Sequence, residues 1–411
     1  MSLIVDVVLG LAAVGAAPVW LPRMLIRGRH RTDWRGRFGR QAALPPPPPG
    51  GRVLLHAVSV GEVGSIRGLV DLLAQVPDLD VVIASTTDTG VAHAQTLFGA
   101  QHTVVRWPLD FSGAVRRFLN AVQPTALGLV ELEVWPNMMS MCSRRGIPVA
   151  VVSGRLSARS YRRYRWIRPF VRGMFRRLTA VAAQHADAAA RFVALGARPD
   201  RVEVSGSMKW DSAAAPRGAE GGALAEAMGI DPDRLLMVGG STAPGEDELL
   251  RDACPPGAQL LVAPRRPEWW PAAAQTLSPC TRRSTGSSEG GDRFLLDTIG
   301  DLSDAYDRAD IVVVGRSFGA LHGSDPIEPV ARGAATIIGP AVSDFEDVVD
   351  ALVAGGGLVQ CSAEALPDVV ARLCSSEDAR RELVAKGQAV IRSRQGATSR
   401  ACELLCSLAA G

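Results

Sequence analysis

VLLHAVSVGEVGS, residues 53–65, decides how the rest of the chain is read. Val53-Leu54-Leu55 is a short apolar run of the kind that forms a strand buried on both faces of a parallel sheet. The run breaks at Ser59-Val60-Gly61 and delivers one carboxylate, Glu62, where a helix is expected to begin. Ligands of open α/β sheets sit beyond the carboxyl ends of the strands. A carboxylate there, flanked by small residues that let a substrate approach, is a candidate general base. The same Glu also suits a first helical turn, where it complements the helix dipole. On this stretch alone the plainer role is favoured.

Outward from this stretch, strand-like runs alternate with helical ones. VLLHAVS is followed by LDVVIAST, a weak HTVVRW, TALGLVE, PVAVVS and AVAAQ. From about residue 212 a second set follows: LLMVGGS, AQLLVAP, DRFLLDT, ADIVVVG, ATIIGP and GGLVQC. This is the βαβ rhythm of parallel sheets. Two sets of similar size predict two doubly wound α/β domains facing each other across a cleft. Residues 281–292, TRRSTGSSEGGD, read as a mobile surface loop, and 376–408 as closing helices.

Before the first strand lies a different kind of sequence. From Ser2, SLIVDVVLGLAAVGAAPVWL is apolar except for Asp6. RMLIRGRHRTDWRGRFGR then carries Arg23, Arg27, Arg29, Arg31, Arg35, Arg37 and Arg40. An apolar segment followed by a basic flank reads as a membrane anchor with the flank on the cytoplasmic side. Asp6 and Pro18 leave spanning and interfacial insertion open, and a helix packed on the protein itself is the third option. Pro45–Pro49 with Gly50-Gly51 reads as a linker.

Composition limits the functions open to the chain. Its 411 residues are too many for one ordinary core. A net charge of +3 argues against a general nucleic-acid binder. Of 45 basic residues only Lys209 and Lys386 are lysine, which draws attention to Lys209 as a compact phosphate contact. Seven cysteines without a CxxC pair fit reduced thiols, and the six histidines show no metal spacing. Asp78-Leu79-Asp80 precedes a strand and reads as a polar turn, not a metal-binding pair. Neither GxGxxG after the first strand nor GxxxxGK[ST] is present, so a dinucleotide or P-loop site is not supported.

Polar clusters gather at the strand ends. Glu131 and Glu133 precede Trp135, and either bind sugar hydroxyls or open a solvated helix. Ser153-Gly154-Arg155 and Ser205-Gly206-Ser207-Met208-Lys209-Trp210-Asp211 follow. In the second set, Gly239-Gly240-Ser241-Thr242 is a small-residue turn whose backbone N–H groups suit a phosphate at a helix N-terminus. Pro264-Arg265-Arg266 puts a cation at another strand end. Gly323-Ser324-Asp325-Pro326-Ile327-Glu328 places a carboxylate where ribose hydroxyls can be held. Carboxylates in the first domain, with cations and small turns in the second, suit a base in one and a nucleotide-sugar donor in the other.

HAVSVGEV, ELEVWPN, SGRLS, Ala183-Gln184, SGSMKWD, GGSTAPGEDELL, VAPRRPEWW, LLDTIGDLSDAYDRAD and GSDPIEP resemble, in order, the motif series of the bacterial 3-deoxy-D-manno-octulosonic acid (Kdo) transferases. The resemblance covers nearly the whole chain. It implies a GT-B glycosyltransferase of two Rossmann-like domains that transfers Kdo from CMP-Kdo, with inversion and without a metal, onto a lipid A precursor of lipopolysaccharide at the cytoplasmic face of the inner membrane. On this basis residues 1–50 are expected to be anchor, basic flank and linker. Residues 51–211 are expected to be the acceptor-side domain, and 212–411 the CMP-sugar-binding domain with its closing helices. The resemblance makes Glu62 the catalytic base, Arg265 the phosphate-binding arginine and Glu328 the ribose ligand. It matches Lys209 to a motif lysine and Glu131 and Glu133 to an acidic pair. Ser324 and Asp325 stand where the series has His and Asn, Arg266 where it has His, Ser153 where it has Asn, and Arg316 where it has Gly. A GT-B transferase for another activated sugar, or a membrane-bound nucleotide-sugar binder without turnover, are the alternatives.

Overall fold

The structure, a computed structural model, describes residues 2–18, 24, 32–212, 220–286 and 291–411. It divides into two compact units, Met1–Asp211 with Gln395–Gly411, and Ser212–Arg394. Each is built on one parallel seven-stranded sheet.

The first sheet runs β3-β2-β1-β4-β5-β6-β7. Its strands are β1 Arg52–His56, β2 Asp80–Ser85, β3 Thr103–Arg106, β4 Ala126–Val130, β5 Val149–Gly154, β6 Ala180–Ala183 and β7 Val202–Val204. All five residues of β1 and all five of β4 are buried, as continuous apolar strands covered on both faces must be. The strand order reverses between β1 and β4. In a doubly wound sheet that is the switch point where the crevice for a ligand opens.

The second sheet runs β10-β11-β9-β8-β12-β13-β14. Its strands are β8 Leu236–Thr242, β9 Gln259–Pro264, β10 Thr281–Arg282, β11 Arg293–Leu295, β12 Ile311–Val314, β13 Ala335–Ile338 and β14 Val359–Gln360. Here the switch point lies between β8 and β12. Each sheet holds one strand more than its apolar runs predict. The extra strands, β7 and β10, have three residues and two. Thr281–Arg282 is thus a strand where the sequence reads as mobile loop. Residues 287–290 of that expected loop lie outside the described residues.

Two boundaries differ from the sequence reading. The helix Ala397–Ala410 belongs to the first unit, not the second. Asp211 binds it there: its carboxylate accepts from Gly396 N at 2.6 Å, Thr398 N at 2.7 Å and Thr398 Oγ1 at 2.7 Å. Ala401 and Leu405 then pack in one cluster with Val53 and Leu55.

The second difference concerns the N-terminal segment. Residues 32–50 are welded to the first unit and do not form a free linker. Arg37 Nη2 donates to Thr86 O at 3.1 Å, Gln41 Nε2 to Arg106 O at 2.6 Å and Arg52 Nη2 to Pro45 O at 2.9 Å. Further out, the apolar helix Ser2–Gly15 docks through its one acid. Asp6 accepts from Ser112 N at 2.8 Å and Asn137 Nδ2 at 2.9 Å, and from the Ser112 hydroxyl. Val7, Leu11 and Val14 stay exposed. No helix among the described residues is long and apolar enough to cross a membrane. The rest of the expected anchor and flank, residues 19–23 and 25–31, lies outside the described residues.

Candidate active site

In the first unit the site grows from the turn after β1. Ser59 is the N-cap of the helix Val60–Ser65, and its Oγ accepts from Glu62 N at 3.4 Å. Glu62 reaches back: Oε2 accepts from Val58 N at 2.9 Å and Oε1 from Ser59 Oγ at 3.1 Å. This is a capping-box exchange with the partner shifted by one residue. Val58 is itself fixed, because its carbonyl accepts from Thr87 Oγ1 at 2.9 Å and Ser85 Oγ at 3.1 Å. Gly90 lets that approach happen, since a Cβ there would stand 2.3 Å from Ser85 Oγ.

The carboxylate so held is not an ordinary one. Burial, followed by the charges of Glu131 and then Glu133, pushes the Glu62 carboxyl up to about 7, against the pull of the Val58 and Ser59 hydrogen bonds. A carboxylate poised near neutral pH is what proton abstraction at that pH requires. Glu62 thus combines a helix-capping position with a carboxyl that titrates near neutral pH.

Glu131 follows β4 directly, so the two carboxylates flank the switch point. Its backbone is left-handed, at φ +60°, and its carbonyl accepts from Arg155 N at 3.1 Å. Glu133 receives Trp135 Nε1 at 2.8 Å, and burial raises its carboxyl as well. Ser153 is also left-handed, and Gln184 Nε2 donates to its carbonyl at 3.0 Å and its hydroxyl at 3.1 Å. The half-buried Arg155 side chain makes no hydrogen bond or ion pair among the described residues. Lys209, still in this unit, begins the short helix Lys209–Ser212.

His56, at the end of β1, is fully buried and stacked on Trp107 with ring centroids 3.8 Å apart. Burial lowers it to about 3, so it is neutral and leaves Glu62 as the titrating group of this turn.

In the second unit, Ser241 and Thr242 end β8 at its switch point. Thr242 is wholly buried and its hydroxyl donates to Asp247 at 2.6 Å, so that side chain is taken. Arg265 follows β9, with its N–H on Thr242 O at 3.0 Å and an exposed side chain. Arg266 turns away to Glu268 at 3.4 Å and lies over the Trp269 ring at 5.1 Å. Glu328 Oε1 is held by Ser303 Oγ at 2.5 Å and Arg332 Nε at 3.3 Å. Its second oxygen, Oε2, makes no hydrogen bond among the described residues. Asp325 Oδ1 accepts from Ile327 N at 2.9 Å, just before the helix Ile327–Ala331. Glu328, Asp325 and Arg265 all act electrostatically on the buried Tyr306 hydroxyl.

Sequence reasoning missed two supports. The Ser85-Thr86-Thr87 run after β2 holds the Glu62 turn, and its only signal is the Ser/Thr density. Glu246 is the other. It is 6% exposed, and its carboxylate accepts four backbone N–H bonds, from Ala243 at 2.9 Å, Arg316 at 2.7 Å, Ser317 at 2.9 Å and Phe318 at 3.0 Å. Six described non-glycine residues have positive φ, and four of them, Glu131, Ser153, Ser241 and Arg316, stand at carboxyl ends of strands around these two sites. Strained backbone kept at such places is a mark of function.

Two seven-stranded Rossmann-like units, one with a poised carboxylate and one with a cation and small turns at the switch point, form the architecture of GT-B glycosyltransferases. Comparison with known proteins agrees. A family model described as 3-Deoxy-D-manno-octulosonic-acid transferase (kdotransferase) matches residues 32–212. The chain is 34% identical to the 3-deoxy-D-manno-octulosonic acid transferase of Bordetella pertussis, over 96% of this chain and 97% of that one. It is 31% identical to the enzyme of the same name from Haemophilus influenzae, over 96% and 94%. Among solved structures, the UDP-GlcNAc 2-epimerase of Neisseria meningitidis shares the fold at a TM-score of 0.58 and 12% identity, covering 87% of this chain and 100% of that one. The chain belongs to the Kdo transferase family, a family of glycosyltransferases.

Proposed function

We propose that the chain transfers Kdo from CMP-Kdo to a hydroxyl of a lipid A precursor, with inversion at the anomeric carbon. Glu62 takes the proton of the attacking hydroxyl. The oxygen forms the new glycosidic bond as the bond from the sugar to the CMP phosphate breaks, and CMP leaves with the electron pair. Arg265 compensates the phosphate charge and Glu328 Oε2 accepts from the ribose hydroxyls. Glu131, Glu133 and Arg155 line the acceptor side. Lys209 and the backbone of the Ser241–Thr242 turn are assigned to anionic groups of the substrates, and Asp325 to the donor turn. No metal is given a role.

The observation that carries this reading is the Glu62 carboxyl, raised to about 7 at the switch point of the first sheet. Donor choice is tested by thermal protection, because a ligand that binds only the folded state raises the melting temperature, and more so the tighter it binds. CMP should protect and UDP should not. Protection by UDP alone would point to another activated sugar.

The inner membrane is the proposed location. The exposed apolar face of Ser2–Gly15 supports it. So do the helices Ala158–Trp166 and Arg168–Phe175, where Trp166 is 86% and Phe170 84% exposed. Eight arginines, 159, 162, 163, 165, 168, 172, 176 and 177, surround these two aromatic residues. Aromatic and basic side chains together suit an anionic bilayer surface. Binding to anionic vesicles should weaken with salt, and salt-independent binding would argue against the basic patch.

A further inference from the structure

Arg316 lies between the two turns assigned to the donor, with backbone bonds toward each. It follows β12 and thus lies at the switch point of the second sheet, next to the end of β8. On one side its N–H donates to Glu246 Oε2 at 2.7 Å, and Gly315 N donates to Gly240 O at 2.8 Å. Gly315 permits this contact, because a Cβ there would stand 2.6 Å from Ser241 O. On the other side the Arg316 carbonyl accepts from Gly323 N at 2.9 Å, where the turn Gly323–Glu328 begins.

The backbone of Arg316 is left-handed at φ +59°, a conformation that disfavours a side chain by roughly 1 kcal/mol or more relative to glycine. The three successive N–H groups of Arg316, Ser317 and Phe318 form an anion-binding nest of the kind that often cradles phosphate. Here the nest is filled by the chain's own Glu246 carboxylate. These amides are therefore not open to the donor, and any cationic contact at this strand end must come from a side chain.

The Arg316 side chain can supply it. It is half-buried and makes no hydrogen bond or ion pair among the described residues. Nearby, Ser324 is 9% exposed and its hydroxyl is without a partner. The loop that Arg316 opens also lines a cavity of about 360 Å3, through Leu321 and His322, together with Pro340 and Ser343. A strained arginine with a free guanidinium, beside an orphaned buried hydroxyl at the switch point, has no structural reason to be an arginine.

We propose that Arg316 is a second anion-binding residue for the donor, held in place by Glu246 and acting with Ser324 on a negatively charged oxygen group. The proposal rests on the CMP-Kdo reading above. That donor carries two such groups, the phosphate and the sugar carboxylate.

Isothermal titration with cytidine and CMP, together with the KM for CMP-Kdo, decides between them. Loss of a charge-assisted contact in Arg316→Ala should weaken the affected ligand roughly 10- to 100-fold. If the phosphate is the partner, CMP weakens and cytidine does not. If the carboxylate is the partner, CMP is unchanged and the KM for CMP-Kdo rises. Arg316→Gly should show the same loss while melting at or above the wild-type temperature, because glycine relieves the positive φ. Unchanged CMP and CMP-Kdo parameters in both variants would overturn the proposal. So would an Arg316→Gly variant that melts lower and weakens cytidine equally, since the arginine would then be structural. Wild-type protein that fails to bind CMP would instead defeat the donor reading, and this proposal with it.

Discussion

Ser59 and Glu62 hold each other: the Ser59 hydroxyl donates to the Glu62 carboxylate at 3.1 Å, and the same oxygen accepts the Glu62 N–H at 3.4 Å. A helix cap and a catalytic base are usually weighed as rival roles for one glutamate. Here the capping geometry fixes the carboxylate, while burial and two acidic neighbours raise its pKa. The cap supplies the preorganisation that a base needs.

The pH dependence of turnover follows. Glu62 must be ionised to accept a proton, so activity should fall below an apparent pKa of about 7. The Glu131 charge is the larger of the two acidic contributions to that rise and Glu133 the smaller. Glu131→Gln should move the acid limb to lower pH, and Glu133→Gln should move it less. A pH–rate profile of kcat/KM for the three proteins checks the order. A limb that stays in place in both variants would remove the electrostatic account.

Stability should move the opposite way from activity. Between its ordinary value of 4.5 and about 7, the folded chain keeps a proton on Glu62 that the unfolded chain has released. Stability contributed by this group therefore falls as pH rises through that window. Glu62→Gln cannot ionise but keeps an oxygen for the Val58 N–H. Its melting temperature should match the wild type at pH 4 and equal or exceed it at pH 8. A variant less stable at pH 8 would show that the fold depends on the charge.

Arg265 should act on the donor alone. Arg265→Ala removes a charge-assisted contact to phosphate, on the order of 1.5–3 kcal/mol. The dissociation constant for CMP should rise accordingly while the acceptor KM stays put. An unchanged CMP constant counts against the assignment.

Truncation separates the docked segment from what precedes it. Residues 32–50 contribute Arg37, Gln41 and the Pro45 carbonyl to the first unit. Removing residues 1–31 should leave a protein that melts well above one lacking residues 1–50. The second deletion strands the buried Arg52 guanidinium short of one acceptor and exposes the site of Leu44. Equal melting temperatures would mean the weld adds nothing.

Much of this was legible in the chain itself, for a physical reason. β1, β4, β8 and β9 are continuous apolar runs because both faces are covered, so the runs reveal the sheets, and the polar turns that end them reveal the sites. β7 and β10 were hidden because strands of three and two residues carry no periodicity. The helix Ala397–Ala410 reads as the end of the second domain by position. What assigns it to the first unit is far away in sequence: the Asp211 carboxylate, 185 to 187 residues off, and the apolar cluster around Val53 and Leu55. The N-terminal arginines read as a lipid-facing flank because charge is visible in sequence, whereas the carbonyls that Arg37 meets are not. Thr242 reads as part of a phosphate-binding turn, and only the structure shows its hydroxyl held by Asp247; Glu246 likewise gives no sequence sign of the four amides it collects.

If Glu62 is the base of a CMP-Kdo-dependent transfer to a lipid A precursor, purified wild type incubated with both substrates should yield Kdo-bearing lipid, counted by mass. Glu62→Gln should lose ~10²–10⁴-fold in that transfer. CMP affinity, measured in parallel, should be the same in both proteins. A variant that turns over within a few-fold of the wild type, or a wild type that binds CMP yet leaves the lipid unmodified, would contradict that role.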